Sequence, residues 1–142
     1  MEKVLLAVDG SPCSDRAVGW VINVISAMVK PAQLHIVTVQ PAITSGGIRG
    51  FVGNDAIETY QREEGDKCLA SARKLLEGAG IAYTPHILLG PIGQSIADFA
   101  TQNGCDSIVM GTRGLGGVSG LVLGSVATQV IQVATVPVTL IK

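Results

Sequence analysis

Five short apolar runs constrain this chain more than anything else in it. They are Lys3 to Val8 (KVLLAV), Gln33 to Val39 (QLHIVTV), Ala82 to Leu89 (AYTPHILL), Asp106 to Met110 (DSIVM) and Val136 to Ile141 (VPVTLI). Runs of this length, rich in Val, Ile and Leu, read as strands with both faces buried. Each is separated from the next by a segment with helical character. Ala17, Trp20, Val21, Val24, Ile25 and Met28 recur at helical spacing, behind Ser11 as a cap and Pro12 at the first helical position, and Pro31 stops the run. Asp55 to Glu77 reads as a long helix ended by Gly78-Ala79-Gly80, and Ile92 to Gln102 as a third, with Ile96, Phe99 and Ala100 facing inward. Gly124 to Val133 is the last helix.

Strands alternating with helices imply a parallel sheet covered on both faces by right-handed crossovers. The predicted class is therefore α/β, a single domain over residues 1–142 with a five-stranded open parallel sheet. Pro85 lacks an N–H and puts the third strand at an edge. With strand order 3-2-1-4-5, the order reverses between the first and fourth strands, and a ligand would sit beyond their carboxyl ends. Only 4% of residues are aromatic, so the core must be built from Val, Ile, Leu and Ala.

Charge narrows the partners. Charged residues make up 15% of the chain and the net charge is −1. Without a basic patch or an acidic tail, nucleic acid and anionic membrane are poor partners, and self-association is expected. The longest apolar stretch, Ala17 to Val29, contains Asn23 and Ser26 and falls short of a membrane span. The N-terminus reads as a strand rather than a signal segment. Cys13, Cys68 and Cys105 lack metal-ligand spacing and suit reduced thiols, so the expected compartment is the cytoplasm.

The loop after the fourth strand, GTRGLGGVSGLVLGS from Gly111 to Ser125, holds six glycines and one charge, Arg113. Glycines let backbone N–H groups converge on an anion. Gly124-Ser125-Val126 opens a helix whose unpaired amides and dipole favour negative charge. No Gly-Lys-Ser/Thr follows, so this is not a Walker A loop, and from Gly114 a G-x-G-x-x-G pattern would need glycine where Ser119 stands. The chemistry indicated is a cradle for a phosphate chain.

The spacing Gly111-x2-Gly114-x9-Gly124-Ser125 resembles the G-x2-G-x9-G-[S/T] signature of nucleotide-binding universal stress proteins. Val4-Leu-Leu-Ala-Val-Asp9-Gly-Ser resembles that family's first strand and acidic turn, and Thr135-Val-Pro-Val-Thr139 its closing strand. The resemblance implies a Rossmann-like, adenine nucleotide alpha hydrolase-like fold and a regulatory role in stress adaptation with slow or no hydrolysis. It implies that Asp9 contacts a ribose, that Ala7 (where the family often has proline) lines the adenine site, and that Val39 offers backbone groups to the base. Met110, Gly111 and Gly114 would pass beside sugar and phosphates, with Arg113 as an added cation. Gly124, Ser125 and Val126 would hold the phosphate tail. The implied cofactor is ATP, or ADP or AMP, with Mg²⁺ arriving on the nucleotide rather than in a protein cage. A homodimer through the last strand, Val136 to Ile141, is also implied.

Rival readings stand beside these. Asp9 can act as a turn former and helix cap. His35 and His86 lack a nearby carboxylate in sequence and read as structural. Cys13 sits in the first turn of a helix, where the dipole lowers a thiol pKa. The segment Ile43 to Asn54 is either a lid, with Arg49 on a phosphate or Phe51 over the base, or a plain crossover. Two other functions compete with the leading one. A weak ATPase or autophosphorylating protein would draw on Asp9, Arg113 and Ser119 or Ser125. A nucleotide-free family member would act through protein contacts.

Overall fold

The computed structural model describes residues 1–42, 53–115 and 122–142. The lid expected from Ile43 to Asn54, with Arg49 and Phe51, falls almost wholly on residues 43–52 and lies outside the described residues, as does Ser119. Among the described residues, nine elements alternate: β1 (Lys3–Ala7), α1 (Pro12–Ser26), β2 (Gln33–Gln40), α2 (Asn54–Gly78), β3 (Thr84–Leu89), α3 (Ile92–Gln102), β4 (Ser107–Gly111), α4 (Ser125–Val133) and β5 (Val138–Ile141). The sheet runs β3-β2-β1-β4-β5, and all four pairings are parallel. The expected class and strand order are both found. Pro85 lies on edge strand β3, where its missing N–H costs the ladder nothing on the open side.

Alternation along the strands splits the interior in two. Val4 and Leu6 of β1, Leu34 and Ile36 of β2 and Val109 of β4 face α1 and α2, packing on Ala17, Val18, Val21, Ile25, Leu69, Ala72 and Leu76. Leu5, Ala7, Val37, Val39, Ile108 and Met110 face the other way, toward Ile96 and Ala100 of α3 and Ala127 and Val130 of α4. Leu5, Leu6 and Ile108 are fully buried, and each contributes about 1.5–3 kcal/mol by leaving water.

Three boundaries differ from expectation by two residues or more. Helix α1 ends at Ser26 rather than running to Pro31. Its last turn tightens as Ala27 N–H reaches both the Asn23 and Val24 carbonyls and Met28 N–H bonds to Ile25, so the chain can turn back toward β2. Val18, absent from the expected face, is fully buried there. Strand β3 starts at Thr84 instead of Ala82, where the ladder to β2 begins. Strand β5 starts at Val138 rather than Val136, because Pro137 has no N–H and contributes only its carbonyl, which accepts from Ile108 N–H at 2.9 Å.

Candidate functional site

The turn leaving β1 is locked by its own side chains. Ser11 N–H donates to Asp9 Oδ1 at 2.9 Å, Ser14 N–H donates to Ser11 Oγ at 3.1 Å, and Asp9 N–H donates to Ser14 Oγ at 3.2 Å. Gly10 makes the turn possible with φ of +81°, a region that disfavours any other residue. Asp9 is therefore a turn former through one oxygen. Its other oxygen, Oδ2, faces the loop after β4: a Cβ built on Gly114 would lie 2.6 Å from it.

Beyond the carboxyl ends of β1, β2 and β4 these pieces enclose a cleft of about 510 Å³, within the range of small-molecule and cofactor sites. It opens where the strand order reverses, as expected. Its floor holds Ala7, Val39 and Met110, all buried. One wall carries Asp9, Gly111, Arg113 and Gly114, and another Gly124, Ser125 and Val126. All ten residues singled out in the sequence thus line one cavity. The sequence reading missed Thr38 and Gln40 at the end of β2, Thr112 between the motif glycines, and Ile92 and Ile96 of α3. Thr112 and Gln40 could have been found, since each directly adjoins a residue already singled out; the α3 pair depends on how that helix packs.

The motif glycines differ in what they accommodate. A Cβ on Gly111 would stand 2.9 Å from Cys13 Sγ and 3.1 Å from the Cys13 carbonyl carbon, so this glycine lets α1 approach β4. Gly124 is the N-cap of α4 rather than its first residue, and its N–H already donates to the Thr112 carbonyl at 2.7 Å. That amide is therefore not free for a ligand. A Cβ there would meet Thr112 O at 3.4 Å and Arg113 Cα at 3.5 Å. The amides of Ser125, Val126 and Ala127 have no acceptor within the helix, and among the described residues no side chain caps them. They and the helix dipole form the anion-favouring edge of the cleft.

Charge in the cleft is sparse. Among the described lining residues, Asp9 and the exposed Arg113 are the only ionised side chains. Among the described residues, no three His, Cys, Asp or Glu side chains come together as metal ligands would. Cys13 lies beneath the cleft and does not line it. Burial pushes its thiol up, but hydrogen bonds from the Arg113 and Thr112 backbone and the Thr112 hydroxyl, with Arg16 nearby, bring it below the ordinary value. Its Sγ donates to the Ile141 carbonyl at 3.2 Å. Both histidines lie outside the cleft lining. No described helix is long and apolar enough to cross a membrane.

The universal stress protein family model matches residues 1–142. Universal stress protein MJ0531 of Methanocaldococcus jannaschii is 31% identical over 142 residues, covering 99% of this chain and 82% of the relative. Among solved structures, universal stress protein UspA from Lactobacillus plantarum superposes with a TM-score of 0.82 at 20% identity, covering 99% of this chain and 97% of that one. The universal stress protein from Archaeoglobus fulgidus, in complex with dAMP, superposes with a TM-score of 0.71 at 25% identity, covering 100% and 98%.

Proposed function

The chain belongs to the universal stress protein family, and from that membership we propose that it is a regulatory module that binds an adenine nucleotide, ATP foremost, in the cleft between β1 and β4. The observation that carries this reading is the pairing of two features across one cavity. Asp9 Oδ2 waits at one wall with no side chain on Gly114 to cover it, and the uncapped start of α4 stands at another. A ribose diol needs an acceptor of the first kind, and a phosphate chain needs donors of the second. The apolar floor of Ala7, Val39 and Met110 suits a flat base, and the dAMP complex of the Archaeoglobus fulgidus relative supports the same class of ligand here.

ATP is favoured over a monophosphate because the cavity holds two anion-favouring features, the α4 amides and Arg113. Mg²⁺ would come bound to the phosphates. Turnover is slow or absent in this reading. Phosphoryl transfer needs charge neutralisation and an oriented nucleophile, and the ionised side chains described around the cleft are Asp9 and Arg113 alone. The expected assembly is a homodimer through β5, a half-buried edge strand that leaves one row of backbone groups unpaired. The expected compartment is the cytoplasm, where Cys13, Cys68 and Cys105, all free, would stay reduced.

The test is mass spectrometry of small molecules released on denaturing freshly purified protein, followed by calorimetric titration with ATP, ADP and AMP at fixed salt. Release of an adenine nucleotide, or saturable binding with one site per chain, is the expected result. Folded protein that neither carries nor binds any of the three would overturn the reading.

A further inference from the structure

The chain has two histidines, and the fold brings them together although they are 51 residues apart. His35 of β2 and His86 of β3 share a hydrogen bond, Nδ1 of the first to Nε2 of the second at 2.9 Å. Their rings stack with centroids 5.1 Å apart. Phe99 of α3 closes over both, 4.6 Å from His86 and 6.1 Å from His35. His35 is only 8% exposed, and its Nε2 is buried without a partner among the described residues. One proton serves an N–H···N bond between two neutral imidazoles. A further proton would leave a cation against the Phe99 ring, on a pair of which His35 is buried and His86 half-buried.

Little around the pair would compensate that cation. From β1, Lys3 acts against it. Strand β3 carries no other titratable side chain. Helix α3 presents Phe99 to the rings, while its acid, Asp98, is exposed and bonded to Gln94. The turn entering β4 carries the Cys105 thiol and Asp106, whose carboxylate already accepts the Glu2 and Lys3 amides at 2.7 and 2.9 Å.

We propose that the His35–His86 pair is an acid-operated latch: a second proton loosens Phe99 and edge strand β3 from the sheet, and with them the α3 wall of the cleft. Phe99 lies one helical turn beyond Ile96, which lines the cleft, so displacement of the first moves the second. Burial, together with the charge of the other ring and of Lys3, holds His35 below the ordinary imidazole value, and burial does the same for His86. The sign follows. The unfolded chain takes up protons near pH 6.5, which the folded one resists, so stability is full above that pH and falls as pH drops toward the folded values. The cleft part of the proposal rests on the nucleotide reading above.

The latch is tested on the whole protein by following the two imidazole ring signals by NMR from about pH 8 to about pH 5, with thermal unfolding over the same range. Both rings should titrate below pH 6.5 in the folded state. The folding equilibrium should weaken by up to about tenfold per pH unit for each proton taken up. The double variant His35→Leu/His86→Phe should lack that loss. A ring titrating at or above pH 6.5 while the protein stays folded, or a double variant with the parent's acid slope, would overturn the latch. If the double variant does not fold, the ring titration of the parent decides alone. ATP titrations at about pH 7.5 and about pH 5.5 read the cleft: weaker binding at the lower pH in the parent than in the double variant supports the coupling, and equal ratios refute it. Absence of ATP binding at the higher pH overturns the nucleotide reading instead, and the ring titration still judges the latch.

Discussion

Gly114→Ala separates ligand contact from packing in the cleft. The new Cβ would stand 2.6 Å from Asp9 Oδ2, nearer than such atoms approach, and its next neighbour is Asp9 Cγ at 3.9 Å. Gly114 is not among the glycines with positive φ, so the backbone accepts alanine and the strain falls on Asp9. The carboxylate must rotate, which pulls Oδ1 from the Ser11 amide at 2.9 Å and withdraws Oδ2 from the cavity. Loss of the turn bond costs about 1 kcal/mol of folding stability. Loss of a charge-assisted ribose contact costs about 1.5–3 kcal/mol of binding, or about 10- to 150-fold in Kd. Titration calorimetry with ATP at fixed ionic strength reads the second figure and urea unfolding the first. Gly124→Ala is the matched control. Its Cβ meets neighbours at 3.4–3.8 Å and points at the loop backbone, so affinity should hold within a few fold. A Gly114→Ala protein that binds ATP like the parent refutes the assignment of Asp9, and so does an equal loss in both variants.

Other outcomes follow from the same geometry. Gly111→Ala overpacks α1 against β4 where Cys13 backbone cannot yield, and should cost about 1–3 kcal/mol by chemical denaturation; a loss under about 0.5 kcal/mol would contradict the close approach. Ser11→Ala removes the acceptor for Ser14 N–H at the start of α1 and should cost about 1 kcal/mol in the same assay, with an unchanged midpoint as the contrary result. Asp106 lies below its ordinary value because the Lys3 and Glu2 amides outweigh the upward push of burial. Its stabilising effect is thus present above pH 3.8 and lost as pH falls through the lower folded value. Asp106→Asn should flatten that acid limb of the stability curve, and an unchanged limb would show that the carboxylate contributes nothing.

Much of this molecule is written locally. The apolar runs set five strands, Pro85 marks the edge, and Ser11-Pro12 fixes the start of α1 within a few residues of the chain. The strand order and the chirality of crossovers then bring Asp9 and the glycine loop to one crevice without further information. What stayed hidden depends on contacts between distant segments. The fit of Gly111 requires Cys13, about a hundred positions away in sequence, whose Sγ also lies 3.7 Å from Thr112 Oγ1. The engagement of the Gly124 amide with Thr112 depends on how the loop closes, and a helix-opening Gly-Ser does not reveal it. The partners of the two histidines are each other and Phe99: the register sets His86 opposite Val37 and thus diagonally across from His35 on the same face, and helix packing adds Phe99, so nothing near either histidine in sequence reveals the group.

The three glycines of the spacing motif explain why one side of this cleft is lined by backbone. At Gly111 the missing side chain lets α1 sit against β4; at Gly114 it leaves Asp9 Oδ2 uncovered; at Gly124 it lets the start of α4 close on Thr112. Each removes a Cβ between two segments, so they approach closely, and the start of α4, with its free amides, stands at the edge of the cavity. Amides donate hydrogen bonds without carrying net charge or a titrating proton, and a helix start adds only a partial positive field. Such a lining suits holding a phosphate chain in place. It supplies few groups to neutralise charge developing during transfer, since Asp9 and Arg113 are the ionised side chains described there. Holding rather than converting the ligand is thus the outcome that the cavity's composition favours, and a phosphate-release assay with Mg²⁺ and ATP should give turnover far below the roughly 1–10³ s⁻¹ of ordinary enzymes.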